Sequence, residues 1–256
     1  MSVTPRPAAF VDLDGTLIPG SANIPLARAA FAAGFVSPLE LVRDLRHGMS
    51  FVLTGASDER SAQVRDRILQ AVAGRRAVEV EALADAFVAD LVASIRPAMR
   101  AVLDEHAARG QDRVVVSASP TEIVSRLARE AGLEDGVGTT SERDAEGLYT
   151  GRLVGPFCYG QGKAQVLARV AAERGYDLAA SYAYTDSMSD LPMLRAVGHP
   201  VAVNPEPELR ALAARQGWPV LETSRLPRVC WTSPRAVAAL VLPAARVLLG
   251  GVPALR

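Results

Sequence analysis

A short apolar run, Ala8-Ala9-Phe10-Val11, stops at two aspartates two positions apart, followed by glycine and threonine: Asp12-Leu13-Asp14-Gly15-Thr16. No other stretch restricts the fold as much. If the run is a strand, a side-chain period of two carries both carboxylates to the same side at its carboxyl end. Open α/β sheets bind ligands at that edge, and Gly15 supplies a tight turn through which backbone can approach a phosphate. Two like charges this close raise each other's pKa unless a cation or a proton intervenes. The pair therefore asks for a metal, with one carboxylate free to attack and the other to move a proton. Solvated aspartates at an ordinary strand end are the plainer reading of a bare Asp-x-Asp; the full Asp-x-Asp-Gly-Thr argues against it.

The rest of the chain alternates helical and strand patterns. Apolar spacing over Ile24–Ala33, Leu39–Leu45, Ala62–Val72 and Val80–Val92, punctuated by Gly34, Pro38, Gly48 and Gly74, predicts a helical insert after the first strand. Pro97 opens a helix to Ala108, and Val114-Val115-Val116-Ser117 is too apolar for a half-exposed strand, which predicts a buried parallel one. A helix from Pro120 to Ala131 follows, then a β-hairpin of Val137–Glu142 and Leu148–Val154. Gly162–Arg174 reads as a helix, Ser181–Thr185 as a strand, and Val201–Val203 and Val220–Leu221 as strands around the helix Glu206–Arg215. This order predicts an α/β fold with a doubly wound, Rossmann-like parallel sheet.

Within that frame, three more places carry chemistry. Ser117 ends a predicted strand with Ser119 two positions on, and helix N-termini bind anions, although Ser before Pro is also an ordinary helix start. Lys163 is the only lysine, 27 of the 28 basic residues being arginine. A lysine surviving such a bias, in a helical first turn where the macrodipole disfavours it, points to a site needing a compact ammonium rather than a planar fork. Asp186 and Asp190, in Thr185-Asp186-Ser187-Met188-Ser189-Asp190, form a second acidic pair at a strand end. Hard oxygen ligands of this kind suit Mg²⁺. Asp190 by itself also reads as an N-cap for the helix through Leu194.

Composition narrows the partners. Twenty-eight basic against 28 acidic residues leave no global field to attract nucleic acid or anionic lipid. Cys158 and Cys230 are the only cysteines, far apart, which predicts neither zinc nor a disulfide framework and fits a reducing cytoplasm. The N-terminus shows no basic segment followed by an apolar one, so no export signal is expected. The apolar stretch Ala236 to Leu249 is shorter than the roughly 20 residues a membrane-spanning helix needs, so no transmembrane segment is expected. It reads as a core helix, a dimer contact or a membrane-surface segment, and the oligomeric state stays open.

Taken in order, Asp12 and Asp14, Ser117, Lys163, and Asp186 with Asp190 resemble the four motifs of the haloacid dehalogenase superfamily. The resemblance runs from about Ala8 to Val203, and the subgroup it looks like is the phosphoserine phosphatase-like subfamily IB, with a helical cap of C1 type inserted between the first two motifs. It implies a core over 1–18 and 96–256 and a cap over 19–95. It also implies a Mg²⁺-dependent phosphomonoesterase acting on a small-molecule phosphate ester. In that scheme Asp12 is the nucleophile that forms an aspartyl-phosphate, Asp14 the general acid and base, and Thr16, Ser117 and Lys163 bind the phosphoryl group. Mg²⁺ is then held by Asp12, Asp186 and the backbone carbonyl of Asp14, with Asp190 supporting. A phosphotransferase passing the group to an alcohol, or a catalytically silent binding protein, are the other readings. Two departures stand out: the fourth motif lacks the glycine and asparagine of phosphoserine phosphatases, and no acid follows Asp14 until Glu40, where those enzymes carry a glutamate for the substrate ammonium. The insert offers Arg43, Arg46, His47 and Arg60 to an anionic substrate, although each taken singly reads more readily as a solvated helix residue.

Overall fold

The computed structural model describes residues 5–35 and 58–223. The predicted helix Leu39–Leu45, Glu40, Arg43, Arg46, His47, Cys230 and the stretch Ala236–Leu249 lie outside these, as does the side chain of Arg60. Strand β1 (Ala8–Val11) is followed by helices α1 (Asn23–Ala32), α2 (Asp58–Val72), α3 (Ala77–Asp85), α4 (Val88–Ala93) and α5 (Pro97–Ala108). Then come β2 (Asp112–Pro120), α6 (Thr121–Glu130), β3 (Asp135–Thr139), β4 (Ser141–Arg143), β5 (Tyr149–Leu153) and α7 (Gln161–Arg174). The chain continues with β6 (Tyr182–Thr185), α8 (Leu191–Arg195), β7 (His199–Val203), α9 (Pro207–Gln216) and β8 (Val220–Leu221).

All four residues of β1 are buried, because it lies inside a parallel sheet of order β3-β2-β1-β6-β7-β8. Alternation sends Ala9 and Val11 into one apolar cluster with Val115, Leu103 and Leu127, and Ala8 and Phe10 into another with Val114, Leu167 and Leu194. Helices thus cover both faces, α5 and α6 on one and α7, α8 and α9 on the other, as expected of a doubly wound sheet. The chain lays down β1, β2 and β3 in one direction and β6, β7 and β8 in the other, so the strand order reverses between β1 and β6. Crevices for ligands open at such a reversal, outside the carboxyl ends of the strands.

Two expectations need correcting. The pattern Val80–Val92 is broken into α3 and α4 at Phe87, whose φ of −150° leaves the helical region. The apolar stripe of Leu83, Ala84, Phe87, Val88 and Leu91 runs straight across the break, so periodicity does not reveal it. The segment Val137–Glu142 is not one hairpin strand: β3 joins the main sheet parallel to β2, and only β4 pairs antiparallel with β5. Glycine explains the difference. A Cβ on Gly136 would stand 2.3 Å from the Val124 carbonyl oxygen and one on Gly138 2.3 Å from that of Ser119, so bare α-carbons let β3 press against α6 and the end of β2.

The insert is continuous with this core. Leu26 of α1, Leu83 of α3 and Leu91 of α4 share the apolar cluster of Val11 and Val115, while Val72 and Val80 pack on Tyr149 of β5. Backbone bonds from Gly74 N–H to the Tyr149 carbonyl (2.8 Å) and from Tyr149 N–H to the Arg75 carbonyl (2.9 Å) tie the hairpin to the insert. Among the described residues no helix is long and apolar enough to cross a membrane.

The glycine contact yields a stability test. Gly138→Ala should cost about 2 kcal/mol through overpacking against Ser119 and Thr121. Gly147→Ala, at φ +80° with nothing within 4 Å, should cost about 1 kcal/mol from backbone conformation alone. Urea unfolding of the two variants measures the difference, and equal losses would mean that β3 yields without strain.

Candidate active site

Where β1 ends, Asp12 still belongs to the sheet, its N–H donating to the Tyr184 carbonyl at 2.9 Å. The chain then winds into a single wide turn. Leu17 N–H donates to the Asp12 carbonyl (3.2 Å), Ile18 N–H to that of Leu13 (3.1 Å) and Gly15 N–H to that of Gly20 (2.8 Å). Gly15 sits at φ +79°, and a Cβ there would lie 2.2 Å from Asp186 Oδ2, so conformation and space both demand glycine. The close approach brings Thr16 onto the fourth motif, its hydroxyl donating to Asp186 Oδ1 at 2.9 Å. Arg96 braces the same turn, donating from Nη2 to the Gly15 carbonyl (3.2 Å) and from its backbone N–H to that of Leu17 (3.0 Å).

Lys163 lies in the first turn of α7 and is buried between two carboxylates. Its Nζ donates to Asp12 Oδ1 at 2.5 Å and to Asp190 Oδ2 at 2.7 Å, with the three residues 3%, 7% and 3% exposed. Thr185 Oγ1 donates to the same Asp190 oxygen at 2.8 Å. Asp190 therefore does not cap the helix behind it with its side chain; that carboxylate holds the ammonium instead. Asp14 turns away from this cluster, accepting Ala22 N–H at Oδ1 (2.8 Å) and the Ser21 hydroxyl at Oδ2 (2.9 Å).

The electrostatics are those of a site short of positive charge. Burial pushes the Asp12 carboxyl well above its ordinary pKa; Lys163 opposes this, while Asp190, Asp186 and Asp14 add to it. Asp186 is pushed up to about 6 by burial, against the pull of the Thr16 hydroxyl. Asp14 is raised by burial, with its bonds from Ala22 and Ser21 acting the other way. Burial by itself favours a neutral lysine, but Asp12 and Asp190 outweigh it and hold Lys163 above its ordinary value. Two carboxylates on one ammonium, with Asp186 and Asp14 close enough to act on Asp12, leave room for a further cation. Among the described residues no group of three or more His, Cys, Asp or Glu side chains is arranged to cage a metal. The carboxylate oxygens of Asp12 and Asp186 are hard donors of the kind Mg²⁺ takes, one or two at a time, with carbonyls, waters and substrate oxygens completing its shell.

Ser117, buried near the end of β2, accepts the Ser119 N–H on its Oγ at 3.2 Å. The residue capping α6 is Pro120 rather than a serine, and no side chain caps that helix. Cys158 is buried beside the cluster, and burial pushes its thiol up to about 12, as for a packing residue. Motif reading passed over Thr185, Ser21 and Arg96 as site partners; strand position hinted at the first, whereas the other two act through contacts no spacing announces.

The chain matches the model of the haloacid dehalogenase-like hydrolase family over residues 9–195. It is 38% identical over 221 residues to a probable phosphatase of Mycobacterium tuberculosis, covering 86% of this chain and 76% of that protein. A phosphoserine phosphatase of the same organism is 34% identical over 215 residues, covering 83% and 70%. In structure it resembles a protein of unknown function from Bordetella pertussis Tohama I, with a TM-score of 0.69 and 31% identity over 85% of this chain and 99% of that one. The buried Asp12, Lys163 and Asp190 on a doubly wound sheet thus come with the family match, and the chain belongs to the haloacid dehalogenase-like hydrolase family.

Proposed function

We propose that this chain hydrolyses small organic phosphate monoesters with Mg²⁺, through a phosphoryl group carried on Asp12. The observation that carries the reading is the buried Lys163 held by Asp12 and Asp190, with Asp14 fixed separately by Ser21 and Ala22. A buried carboxylate beside an ammonium is poised to attack an anionic ester once the charge of the site is balanced. Phosphatase names among the similar relatives support the substrate class.

In this mechanism an Asp12 oxygen attacks phosphorus while the bond from phosphorus to the ester oxygen breaks. Asp14, whose pKa burial raises against the pull of its bonds from Ala22 and Ser21, gives a proton to the departing alkoxide. Asp14 then takes a proton from water, whose oxygen attacks the same phosphorus; the bond to Asp12 breaks and inorganic phosphate leaves. Thr16 and Ser117 hold phosphoryl oxygens, and Lys163 offsets the charge that gathers on them. When bound, Mg²⁺ would supply further charge neutralisation there, with Asp12, Asp186 and the backbone carbonyl of Asp14 as its protein ligands.

Substrate selection belongs in this proposal to a helical cap over residues 19–95, set on a core formed by the rest of the chain. Supporting this, Arg65, Ile68 and Leu69 of α2 line a small cavity with Ala118, Pro120, Thr139 and Ser141, at the carboxyl ends of β2 and β3. The loop entering the cap carries no acid: Gly20, Ser21 and Ala22 are engaged with Gly15 and Asp14. An ammonium drawn from water into a closed site needs a charged or strongly dipolar partner, which this loop does not offer.

Three outcomes are expected. Asp12→Asn should abolish phosphate release from an aryl phosphate, and chelation of divalent metal should do the same to the parent chain; unchanged turnover of the variant at saturating Mg²⁺ removes Asp12 as nucleophile. Lys163→Arg should lower kcat/KM at least about tenfold, or about 1.4 kcal/mol, because a planar fork replaces a point charge between two carboxylates. Wild-type kinetics in that variant would show that the site accepts either cation. Finally, a glycerol, sugar or lysophospholipid phosphate should exceed phosphoserine in kcat/KM at one pH and metal concentration, and a lead of more than about tenfold for phosphoserine would contradict this reading of the cap loop.

A further inference from the structure

Ser119 presents a buried hydroxyl that bonds no described residue. The residue is 2% exposed, and among the described residues its Oγ has no hydrogen-bond partner. Buried polar atoms are nearly always satisfied, so an orphan of this kind marks strain, a bound water or a place for a ligand. The backbone beneath it has little room to adjust. Thr139 Oγ1 donates to the Ala118 carbonyl at 2.7 Å, and Gly138 N–H to Thr121 Oγ1 at 3.2 Å. The bare α-carbon of Gly138 lies against the Ser119 carbonyl itself.

The surroundings say what the missing acceptor is. Ser119 N–H is spent on Ser117 Oγ, so the two serines form one turn, and neither hydroxyl hydrogen finds a protein acceptor among the described residues. One residue further on begins the ten-residue helix α6, which no side chain caps. Its N-terminus adds a partial positive charge and unpaired N–H groups to the same corner. Two hydroxyl donors and a helix N-terminus at the carboxyl end of β2 match an acceptor with several lone pairs and negative charge.

We propose that the Ser119 hydroxyl is a second phosphoryl-binding donor, acting beside Ser117 on the phosphate group of the ester. This rests on the phosphomonoesterase reading and adds to it a residue the motif pattern leaves unassigned. Ser119 holds the phosphoryl group in place and takes no part in proton transfer, so its loss weakens binding more than it slows turnover.

The test uses the full chain with Mg²⁺ and inorganic phosphate as the probe, its affinity measured by calorimetry, together with KM and kcat on an aryl phosphate. Ser119→Ala should bind phosphate at least about tenfold more weakly and raise KM by a similar factor, with kcat less affected. Its melting temperature should equal or exceed that of the parent, because an unpaired buried hydroxyl has gone. Ser119→Cys keeps nearly the same shape but donates poorly, and should share the loss; a packing role would leave it unharmed. Phosphate affinity within twofold of the parent in both variants, or no phosphate binding by the parent, overturns the proposal. Serine-dependent phosphate binding by a parent that hydrolyses no ester would keep it and remove the hydrolase reading instead.

Discussion

The burial of Lys163 between Asp12 and Asp190 is the interaction on which the rest of the site depends. Its three members come from the end of β1, the first turn of α7 and the segment after β6, so the contact forms only when those elements have docked. An ammonium out of water is tolerated because two carboxylates surround it, and the same arrangement leaves the cluster with excess negative charge. Removing the lysine would leave two buried carboxylates without the cation they share.

A second constraint is steric. Gly15 must accept a positive φ and leave room for the Asp186 carboxylate within contact distance of its α-carbon. With that approach made, Thr16 reaches Asp186, and the turn after β1 closes through Gly20 and Leu17. Ser21 and Ala22 then fall against Asp14. The placement of Asp14 thus follows from the geometry of one glycine turn. Arg96, 81 residues away in sequence, secures the turn from outside.

The insert and the sheet are joined through packing and through a backbone clasp. Glu122, in the first turn of α6, accepts the Tyr149 hydroxyl at 2.7 Å and an Arg143 N–H at 2.9 Å, while Tyr149 also packs on Val72 and Val80. The hairpin β4–β5 therefore touches both the helical insert and the helix that follows Ser117 and Ser119.

Much of this was legible in the residues alone. The apolar run ending in Asp12-Leu13-Asp14-Gly15-Thr16 specified a buried strand and the glycine turn that ends it, because a period of two and a glycine turn are local properties. The lone lysine marked its position through composition, and the order of strands and helices specified a doubly wound sheet. Contacts between distant segments decided the rest. Whether Asp190 caps a helix or binds Lys163, whether Val137 belongs to a hairpin or to the main sheet, and whether Ser119 finds a partner each depend on which surfaces meet. Local pattern carries information about the face a side chain occupies, whereas its bonding partner is chosen by packing between elements far apart in sequence, and so only the tertiary structure decided it.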